Sequence, residues 1–492
     1  MYKRDQAEVK SMASNGTSAP LGVGVVWVPG IEPLLEPGMD LIDVVEIEPQ
    51  MYWDYLPDEI WPYRMQKAAF DYLARLGKPI LVHGVGGAAA GSHLPPSEFT
   101  RYFHEVVAQL DPVWVSEHFS FLHMHGPEGR YFAGMMLPAL QTESGAETAA
   151  RNIRTVTSGL RAPFALETQV NYMQSRCGNL SDGEFMAKVV KKLDCGILLD
   201  ILNIWVNQKN GRQPVMEYLD AIPLDRVCEV HLAGAKLDDG VWLDAHNGTL
   251  QDEVLELTER ILPRLPKVRA LTLEVIPYFV PRAGMDLLAQ QFQVVRKLWD
   301  GRHSLPADSR RTARPPDASP VAMVELEGAE SLDPEAWEKT LGEWTAFGKG
   351  EGPLFEHMRN DRGMRTYRMI ANSFRSGNLS DTMGLTLQFL LRFQGPDAVE
   401  KLLEEYCRWC PPGQFPLSEA KTFVAFLRER PVDHPYWANI LDFDEAKLLA
   451  VEANHPREIR FDYDPNRLLE SIAKGELPMD LPRGRFLVEV TP

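Results

Sequence analysis

The stretch "GILLDILNI", from Gly196 to Ile204, combines the composition of a buried strand with two polar side chains. Most of its residues are glycine or aliphatic, which is typical of a strand covered on both faces in a parallel sheet. Asp200 stands at its centre, and Asn203 follows three residues later. A carboxylate in an apolar layer loses several kcal/mol of hydration unless a cation or hydrogen bonds replace the water. The sequence therefore predicts a cationic or hydrogen-bonding partner for Asp200.

Similar short runs recur on both sides of this stretch, and longer amphipathic segments separate them. We predict eight strands, at residues 22–28, 43–48, 79–84, 113–118, 164–168, 196–200, 228–234 and 270–276. The helices predicted between them include residues 62–76, 97–110, 142–160, 182–193, 249–264 and 284–299. This alternation predicts an α/β fold of the (β/α)8 TIM-barrel type. A doubly wound open sheet would alternate in the same way, but no glycine-rich phosphate loop follows the first strand.

Composition divides the chain into four predicted segments. Residues 1–20 are polar and are predicted to be disordered, residues 21–300 form the barrel, and residues 301–321 read as a linker rich in proline, serine and arginine. Residues 322–492 carry capped helical patterns and two short strands, at 457–463 and 485–490. We therefore predict a TIM barrel followed by a mainly helical α+β second domain.

The charge and cysteine content limit the classes of partner and compartment. The 492-residue chain has a net charge of −18, which disfavours nucleic acid and anionic membrane as partners. No secretory segment or long apolar run is present, so a cytoplasmic location is expected. Of the five cysteines, only Cys407 and Cys410 have chelating or redox spacing, and a single CxxC favours a structural role over a metal or redox role.

Ionisable side chains stand at the ends of seven of the eight predicted strands. The carboxyl ends of parallel barrel strands open on one side, so residues far apart in sequence converge on one cavity. Asp244 and His246 follow the seventh strand in "LDAHNG" and join the same set. Imidazoles and carboxylates gathered in one dry cavity destabilise one another unless a cation is present. The sequence thus predicts a metal site at the carboxyl end of the barrel.

The ligand types favour iron, manganese or zinc, because imidazole and carboxylate are abundant and thiolate is absent from the set. One catalytic zinc needs about three protein ligands, so the larger number of candidates predicts two or three ions. The candidate metal ligands are His83, His118, Glu167, Asp200, Asn203, His231, Asp244, His246 and Glu274. We assign Asp200, His231 and Asp244 to catalysis as well, and we interpret Glu46 and Glu48 as residues that orient ligands.

Seven motifs, in this order and spacing, resemble the multinuclear non-haem iron oxidases that modify ribosomally made peptides, the methanobactin-type oxidase family. They span roughly residues 20–285 and read "LVHGVG", "VSEHFSF", "ALE", "ILLDILNIWVNQKN", "EVHLAG", "DAH" and "LTLEV". The resemblance implies a (β/α)8 barrel with two or three iron ions in mixed Fe(II)/Fe(III) states and dioxygen as co-substrate. It also implies oxidation of a residue, often cysteine, in a precursor peptide, with the same nine side chains as iron ligands.

Two positions depart from the family pattern. Thr168 stands where the family usually has asparagine after the fifth-strand glutamate, and Ala235 stands where it usually has histidine after "HLAG". Both departures bear on the identity of the oxidised residue rather than on the metal site.

The family resemblance extends to the second domain. Family members act with a small partner protein that grips the precursor peptide, and "HPYWANILDFDEAKLLAVEA" (434–453) resembles such partners. A fused partner would hold the peptide beside the barrel at high effective concentration. The alternative is a helical packing domain with Trp437 and Phe443 in its core.

Other classes of function stay open at the sequence level. A carboxylate pair of the glycosidase type would explain two acids but not the histidines. A redox-inert divalent-metal isomerase or phosphoesterase of the xylose isomerase or endonuclease type would collect the same kinds of ligand. A peptide-binding protein whose barrel only stores metal is the third alternative. The glycine-rich run at 83–93 lacks nucleotide-binding spacing and is interpreted as flexible room for substrate.

Overall fold

A closed barrel of eight parallel strands forms the centre of the protein, and neighbouring strands follow chain order around it. The structure is a computed structural model, and it describes residues 19–36, 38–56, 62–127, 129–174, 178–303 and 332–492. The barrel strands are β1 (Gly22–Val26), β2 (Val44–Ile47), β3 (Ile80–Gly84), β4 (Val115–His118), β5 (Phe164–Glu167), β6 (Gly196–Asp200), β7 (Val227–Leu232) and β8 (Ala270–Leu273). The predicted TIM barrel is confirmed. Most of the predicted N-terminal segment (1–20) and linker (301–321) lie outside the described residues.

Helices cover the outside of the barrel where the periodicity predicts them. Aliphatic residues that point outward from the strands, such as Val45 and Leu199, are fully buried against this layer. A capping box joins Ser181 and Glu184 at the start of one helix, as predicted. The longer helices are Lys67–Leu76, Ser97–Leu110, Glu143–Thr157, Asp182–Leu193, Asp252–Ile261 and Met285–Gly301.

The predicted helix at 62–76 is wrong at its start. Tyr63–Met65 is a strand that pairs with Trp53–Tyr55 in an antiparallel hairpin. The Tyr63 ring stacks on Tyr102 with 5.4 Å between ring centroids, so aromatic packing holds this segment extended. The helix begins only at Lys67.

The apolar run after β6 continues as a helix, Ile201–Lys209, which the strand pattern alone did not indicate. Asp200 is its N-cap, because the side chain of Asp200 accepts a hydrogen bond from the backbone N–H of Asn203. Asn203 therefore lies in the first turn of a helix rather than in a loop. This strand-to-helix junction places both polar side chains at the carboxyl end of the barrel.

The C-terminal region is mainly helical, as predicted, with one antiparallel pair of strands, Arg457–Tyr463 and Arg483–Val490. Phe389, Phe423 and Trp437 belong to its own apolar core. Its helices are Pro334–Phe347, Gly352–Met358, Arg362–Thr382, Gly384–Gln394, Pro396–Trp409, Pro416–Arg428, Trp437–Ala453 and Pro465–Ala473.

The first helices of this region pack directly on the barrel. Trp337, Leu341 and Tyr367 belong to the same apolar cluster as the barrel core. The indole N–H of Trp337 donates to the carbonyl of Pro138 over 2.8 Å. The two parts of the chain therefore share a buried interface.

The glycine-rich run at 83–93 leaves the barrel after Gly84 and then lies against the C-terminal region, where Gln414 donates to the Gly86 carbonyl and the Ser92 backbone donates to Glu338. Ala88, Ala89 and Ala90 are at most 1% exposed. The carbonyl of Gly91 accepts a hydrogen bond from the Asn152 side chain over 2.6 Å. The interpretation of this run as flexible room for substrate is wrong, because its small residues allow close packing instead.

Among the described helices, none combines the length and the apolar character needed to cross a lipid bilayer.

Candidate metal centre

Three side chains from β3, β4 and β5 meet at the carboxyl end of the barrel. His118 Nδ1 lies 2.5 Å from Glu167 Oε2, and His83 Nε2 lies 3.2 Å from the same oxygen. The Nε2 atoms of the two histidines are 3.1 Å apart. His83 Nδ1 is 2.8 Å from the Ser116 hydroxyl, which leaves Nε2 to face the other two side chains. These three side chains can hold one cation between them.

A second group surrounds His231 on β7. Its Nδ1 atom lies 3.3 Å from Glu274 Oε2 and 3.8 Å from Glu167 Oε1. Asp200 pairs with His231 across the β6–β7 ladder, so the two side chains enter the same layer. Glu167, Asp200, His231 and Glu274 each offer an atom close enough to share a cation. Glu167 belongs to both groups and can bridge two ions.

A third group lies deeper in the barrel, behind His231. His231 Nε2 is 3.0 Å from Glu46 Oε1 and 3.5 Å from Glu229 Oε1. Glu229 is also held by hydrogen bonds from the Trp114 indole and the Thr272 hydroxyl, each at 2.7 Å. Glu229 was not among the residues predicted from the sequence. The signal was its position two residues before His231 on one strand, which places both side chains on the same face.

Asp200 and Asn203 each divide their polar atoms between the backbone and the cavity. Asp200 Oδ1 accepts from the Asn203 backbone, while Oδ2 is buried without a hydrogen-bond partner. The side-chain amide of Asn203 donates to the Thr168 carbonyl over 3.0 Å, while its Oδ1 atom is buried and unpartnered. The Thr168 hydroxyl accepts from the Asp200 backbone N–H at 2.8 Å. Thr168, which stands where the family usually has asparagine, therefore fixes the backbone of Asp200 through its hydroxyl.

Asp244 and His246 come from a hairpin and turn after β7 rather than from a barrel strand. Strand Val241–Asp244 pairs with Ala235–Asp238, and Ala235 lies opposite Asp244. Asp244 Oδ1 is 2.8 Å from His246 Nε2, which lies 3.6 Å from Glu274 Oε2. Both side chains are about one-fifth exposed. The structure thus brings all nine predicted ligands to one end of the barrel, and their role as ligands stays a prediction.

Burial and neighbouring carboxylates raise the pKa values of some acids in this cavity, whereas neighbouring imidazoles lower that of another. Burial, followed by the charges of Asp244 and Glu167, raises the pKa of Asp200 well above its usual value. Burial and the charge of Glu229 likewise raise the pKa of Glu46. Against the effect of burial, His246 and His231 lower the pKa of Glu274 to about 2. The acids cannot all be ionised together without additional positive charge.

Three of the imidazoles show complementary shifts, whereas burial lowers the pKa of His83. Burial opposes protonation of His231, but the charges of Glu46 and Glu274 raise its pKa well above the usual value. Against burial, Asp244 and Glu274 raise the pKa of His246 in the same way. The pKa of His118 rises to about 9, because Glu167 outweighs burial. When no multivalent cation is bound, the surrounding carboxylates therefore favour the protonated, positively charged form of these three rings.

Two further carboxylates border the cavity. The pKa of Glu48 rises to about 7 through burial and the charge of Glu274. Burial also raises the pKa of Glu117 to about 7, although its carboxylate accepts from the backbone N–H groups of His118 and Gly87.

The residues present fit a multivalent metal. Several buried polar atoms at the carboxyl end of the barrel lack any partner with hydrogen-bond geometry, although charged neighbours lie within 4 Å. Native interiors rarely leave buried polar atoms unpaired, and imidazole nitrogen with carboxylate oxygen suits iron, manganese or zinc. These atoms are Glu46 Oε1 and Oε2, Glu167 Oε2, Asp200 Oδ2, Asn203 Oδ1, His231 Nδ1 and Nε2, Asp244 Oδ1 and His246 Nε2.

Cys407 and Cys410 lie far along the chain from these ligands, in the core of the C-terminal region. Both are buried free thiols, and Arg375 donates to both of their carbonyls and to Cys410 Sγ. Burial raises the pKa of both thiols. Their contacts are those of packed structural residues.

A closed (β/α)8 barrel with buried imidazoles and carboxylates at its carboxyl end defines a TIM-barrel protein with a potential metal site. A family model described as "RiPP precursor modification enzyme MbnB/TglH/ChrH" matches residues 34–279. The chain belongs to this family, whose substrates are precursor peptides.

The chain is also similar to curated relatives and to solved structures. The chain is 30% identical over 193 residues to a UPF0276 protein of Acaryochloris marina (strain MBIC 11017), covering 39% of this chain and 68% of that protein. A UPF0276 protein of Caulobacter vibrioides is 28% identical over 221 residues, which cover 45% of this chain and 76% of that protein. D-psicose 3-epimerase from Clostridium cellulolyticum (11% identity, TM-score 0.36) covers 57% of this chain and 99% of its own. The match to endonuclease IV from Thermus thermophilus (18% identity, TM-score 0.35) covers 57% of this chain and 98% of that protein.

Proposed function

We propose that this protein is an iron-dependent, dioxygen-using oxidase that modifies a residue of a ribosomally synthesised precursor peptide. The residue is cysteine or another residue in the C-terminal region of that peptide. The observation that carries the proposal is the set of buried, unpartnered nitrogen and oxygen atoms at the carboxyl end of the barrel. Membership of a family of precursor-modifying enzymes supplies the substrate class.

The ligand set supports two or three ions rather than one. His83 and His118 would hold one ion with Glu167, and Asp200 and His231 would hold a second with Glu167 and Glu274. Asn203, Asp244 and His246 would complete the set on the hairpin side. Iron held by these side chains would supply the redox chemistry by which dioxygen oxidises a peptide side chain.

Exposure indicates where the peptide reaches the site. The side chains of His118, Asp244 and His246 are 19%, 20% and 21% exposed, whereas those of His83, Glu167 and His231 are at most 1% exposed. A substrate side chain therefore approaches on the side of the first three residues. We assign catalytic roles to Asp200, His231 and Asp244, and Asp244 is the one of these three that can meet the substrate directly.

We propose that the C-terminal domain engages the peptide. It packs on the barrel beside the metal centre, with Gln414 donating to the carbonyl of Gly86. Within the described chain, its sheet consists of Arg457–Tyr463 and Arg483–Val490 alone, so each strand has an outer edge to which an extended peptide can add. Fusion of this domain to the barrel would raise the effective concentration of the peptide at the site.

The test uses the full chain purified without oxygen, loaded with Fe(II) and mixed with the precursor peptide encoded beside its gene. We expect a mass change in the peptide that requires dioxygen and iron and that Asp200→Asn abolishes. Mössbauer spectroscopy of the same sample would report the iron states. An unchanged yield without dioxygen, or equal activity with zinc, would instead support the redox-inert class of metal enzyme.

A further inference from the structure

The helix Arg362–Thr382 of the C-terminal domain begins against two segments at the carboxyl end of the barrel. One is the segment that follows β5, whose Gln174 backbone N–H donates to both carboxylate oxygens of Asp361 at 3.1 Å. The other is the hairpin that ends at Asp244, where Arg362 donates to the carbonyl of Asp239. One helix terminus thus contacts the segments next to two candidate metal ligands.

Tyr172 connects this helix to Asp244. Its phenol oxygen accepts the backbone N–H of Asp244 at 3.1 Å. Its own backbone N–H donates to the Tyr367 hydroxyl at 3.1 Å, and the two rings meet edge to face at 5.3 Å. Tyr172 and Tyr367 are 4% and 0% exposed. The backbone of Asp244 is therefore two hydrogen bonds away from the C-terminal domain.

Backbone packing at Gly363 makes the same connection. A Cβ atom added to Gly363 would lie 2.4 Å from the carbonyl oxygen of Tyr172 and 2.6 Å from Met173 Cα. Such distances are far below van der Waals contact, and both partners are backbone atoms that cannot rotate away. Only glycine allows the helix to approach this closely.

Asp244 and His246 lie on a hairpin and the turn after it rather than on a barrel strand. Strand Val241–Asp244 belongs to a two-stranded hairpin with four residues in each strand. Such a hairpin is at best marginally stable without further packing. His246 also has a left-handed backbone, with φ of 48°. The barrel side holds the hairpin at Trp242, whose backbone exchanges two hydrogen bonds with the Asn210 side chain. The C-terminal domain adds a contact at Asp239 and, through Tyr172, one at Asp244 itself.

We infer that the C-terminal domain is a positioning element of the metal centre, in which Gly363 and Tyr367 act through Tyr172 to fix Asp244. The inference rests on the proposed function, because it requires a cation at Asp244 and His246. Residues that orient a ligand typically change metal affinity 10–100-fold when they are substituted. The domain would thus contribute to the reaction in addition to any binding of peptide.

The sharpest test compares two glycine-to-alanine substitutions in one helix. Gly363→Ala pushes the helix away from Tyr172, whereas a Cβ at Gly377 meets nothing within 4 Å. In anaerobic Fe(II) titrations of the full chain, we expect the ion at Asp244 and His246 to bind at least tenfold more weakly in Gly363→Ala, which makes it the weakest-bound ion. The ion at His83 and His118 keeps its affinity. Gly377→Ala binds every ion as the wild type does.

A second pair separates positioning from general loss of stability. Tyr367→Phe removes the hydroxyl that accepts from Tyr172, whereas Tyr406→Phe removes an equally buried hydroxyl that donates to the carbonyl of Glu419 at 3.0 Å. We expect only Tyr367→Phe to weaken binding of the ion at Asp244 and His246, even if both variants melt at a similar temperature. This pair also decides the matter if Gly363→Ala fails to fold.

The outcomes separate this inference from the proposed function. If the wild type binds no Fe(II), the proposed metal centre fails, and the inference fails with it. If the wild type binds Fe(II) and Tyr367→Phe binds it with wild-type affinity at every site, only the inference is overturned. Selective loss of the ion at Asp244 and His246 in Tyr367→Phe, but not in Tyr406→Phe, supports it.

Discussion

Asp200 is both the last residue of the barrel strand β6 and a candidate metal ligand. Its Oδ1 atom caps the helix Ile201–Lys209, and its Oδ2 atom remains buried without a hydrogen-bond partner. The protein backbone therefore satisfies only one of the two carboxylate oxygens of Asp200, for which the sequence predicts a cationic or hydrogen-bonding partner. His231 differs, because neither of its ring nitrogens has a partner with hydrogen-bond geometry: Nδ1 faces Glu274 and Nε2 faces Glu46.

Substitutions at Asp200 can separate capping from metal binding. Asn caps helices about as well as Asp, so Asp200→Asn keeps the cap and loses the charge, whereas Asp200→Ala loses both. We expect Asp200→Ala to be less stable than Asp200→Asn by about 1 kcal/mol in urea unfolding of the metal-free protein. Both variants should bind Fe(II) at least tenfold more weakly than the wild type. Wild-type Fe(II) affinity in Asp200→Asn would contradict a ligand role for Asp200.

Glu46 is expected to set the orientation of the His231 ring. Glu46→Gln removes the negative charge 3.0 Å from His231 Nε2, so the ring is held less firmly with Nδ1 toward the cavity. We expect metal affinity to fall 10–100-fold, measured by Fe(II) titration. The control is Glu253→Gln, on the outer helix Asp252–Ile261. The Glu253 carboxylate accepts a hydrogen bond from the Trp205 indole. Equal affinities in Glu46→Gln and in the control would show that Glu229 alone orients His231.

At the scale of elements, the helix Pro334–Phe347 joins the C-terminal domain to the barrel. Trp337 fills the interface, and the backbone N–H of Ser92 donates to both oxygens of Glu338 at 2.8 Å. Glu338 is 1% exposed. A buried carboxylate without a cationic partner in the described contacts makes this junction sensitive to pH.

Glu338→Gln should remove part of the pH dependence of stability. Burial raises the pKa of Glu338 from 4.5 to about 7 in the folded protein. Because the folded pKa lies above the unfolded one, this group's contribution is fully present below pH 4.5 and is lost as the pH rises through 7. Between pH 4.5 and 8 we expect wild-type stability to fall, relative to Glu338→Gln, by at most about 3 kcal/mol. Urea unfolding at several pH values measures this difference.

The control for that experiment lies on the same helix. Glu343→Gln alters a carboxylate paired with Lys339 near the surface and should leave the pH profile unchanged. Parallel pH profiles for the wild type and Glu338→Gln would show that the Glu338 carboxylate does not titrate in this range.

At the scale of the whole molecule, the barrel concentrates charge that the metal-free protein can accommodate only by protonation. Carboxylates and imidazoles from β2 through β8 meet in one buried layer. Bringing unpaired charges out of water is costly, and a ligand that binds only the folded state repays part of that cost. Folding and metal binding should therefore be coupled.

Metal loading should stabilise the protein. At an Fe(II) concentration about 1,000 times the dissociation constant, a single site adds about 4 kcal/mol to the free energy of unfolding. Anaerobic urea unfolding with and without Fe(II) measures this gain, and a chelator should reverse it. Asp200→Asn serves as the variant with a weakened site. A wild-type unfolding curve unaffected by Fe(II) would contradict the proposed metal centre.

Much of the barrel, and the convergence of the candidate ligands at one end of it, could be predicted from local sequence. Buried parallel strands are short aliphatic runs, and their carboxyl ends share one side, so His83, His118 and Asp200 converge once the strands are located. The helix after Asp200 was not predicted, because a short apolar run fits a buried helix as well as a strand. The strand Tyr63–Met65 was misassigned to a helix because the aromatic contacts of Tyr63 overrode a helical pattern.

The sequence by itself determined the barrel, the set of ligand candidates and the helical character of the C-terminal region, because hydrophobic periodicity and capping act over a few residues. Only the tertiary structure decided that Glu46 and Glu229 stand behind His231, and that Tyr367 reaches Asp244 through Tyr172. These contacts join segments far apart in the chain. Their geometry follows from how whole elements pack, which no local pattern specifies.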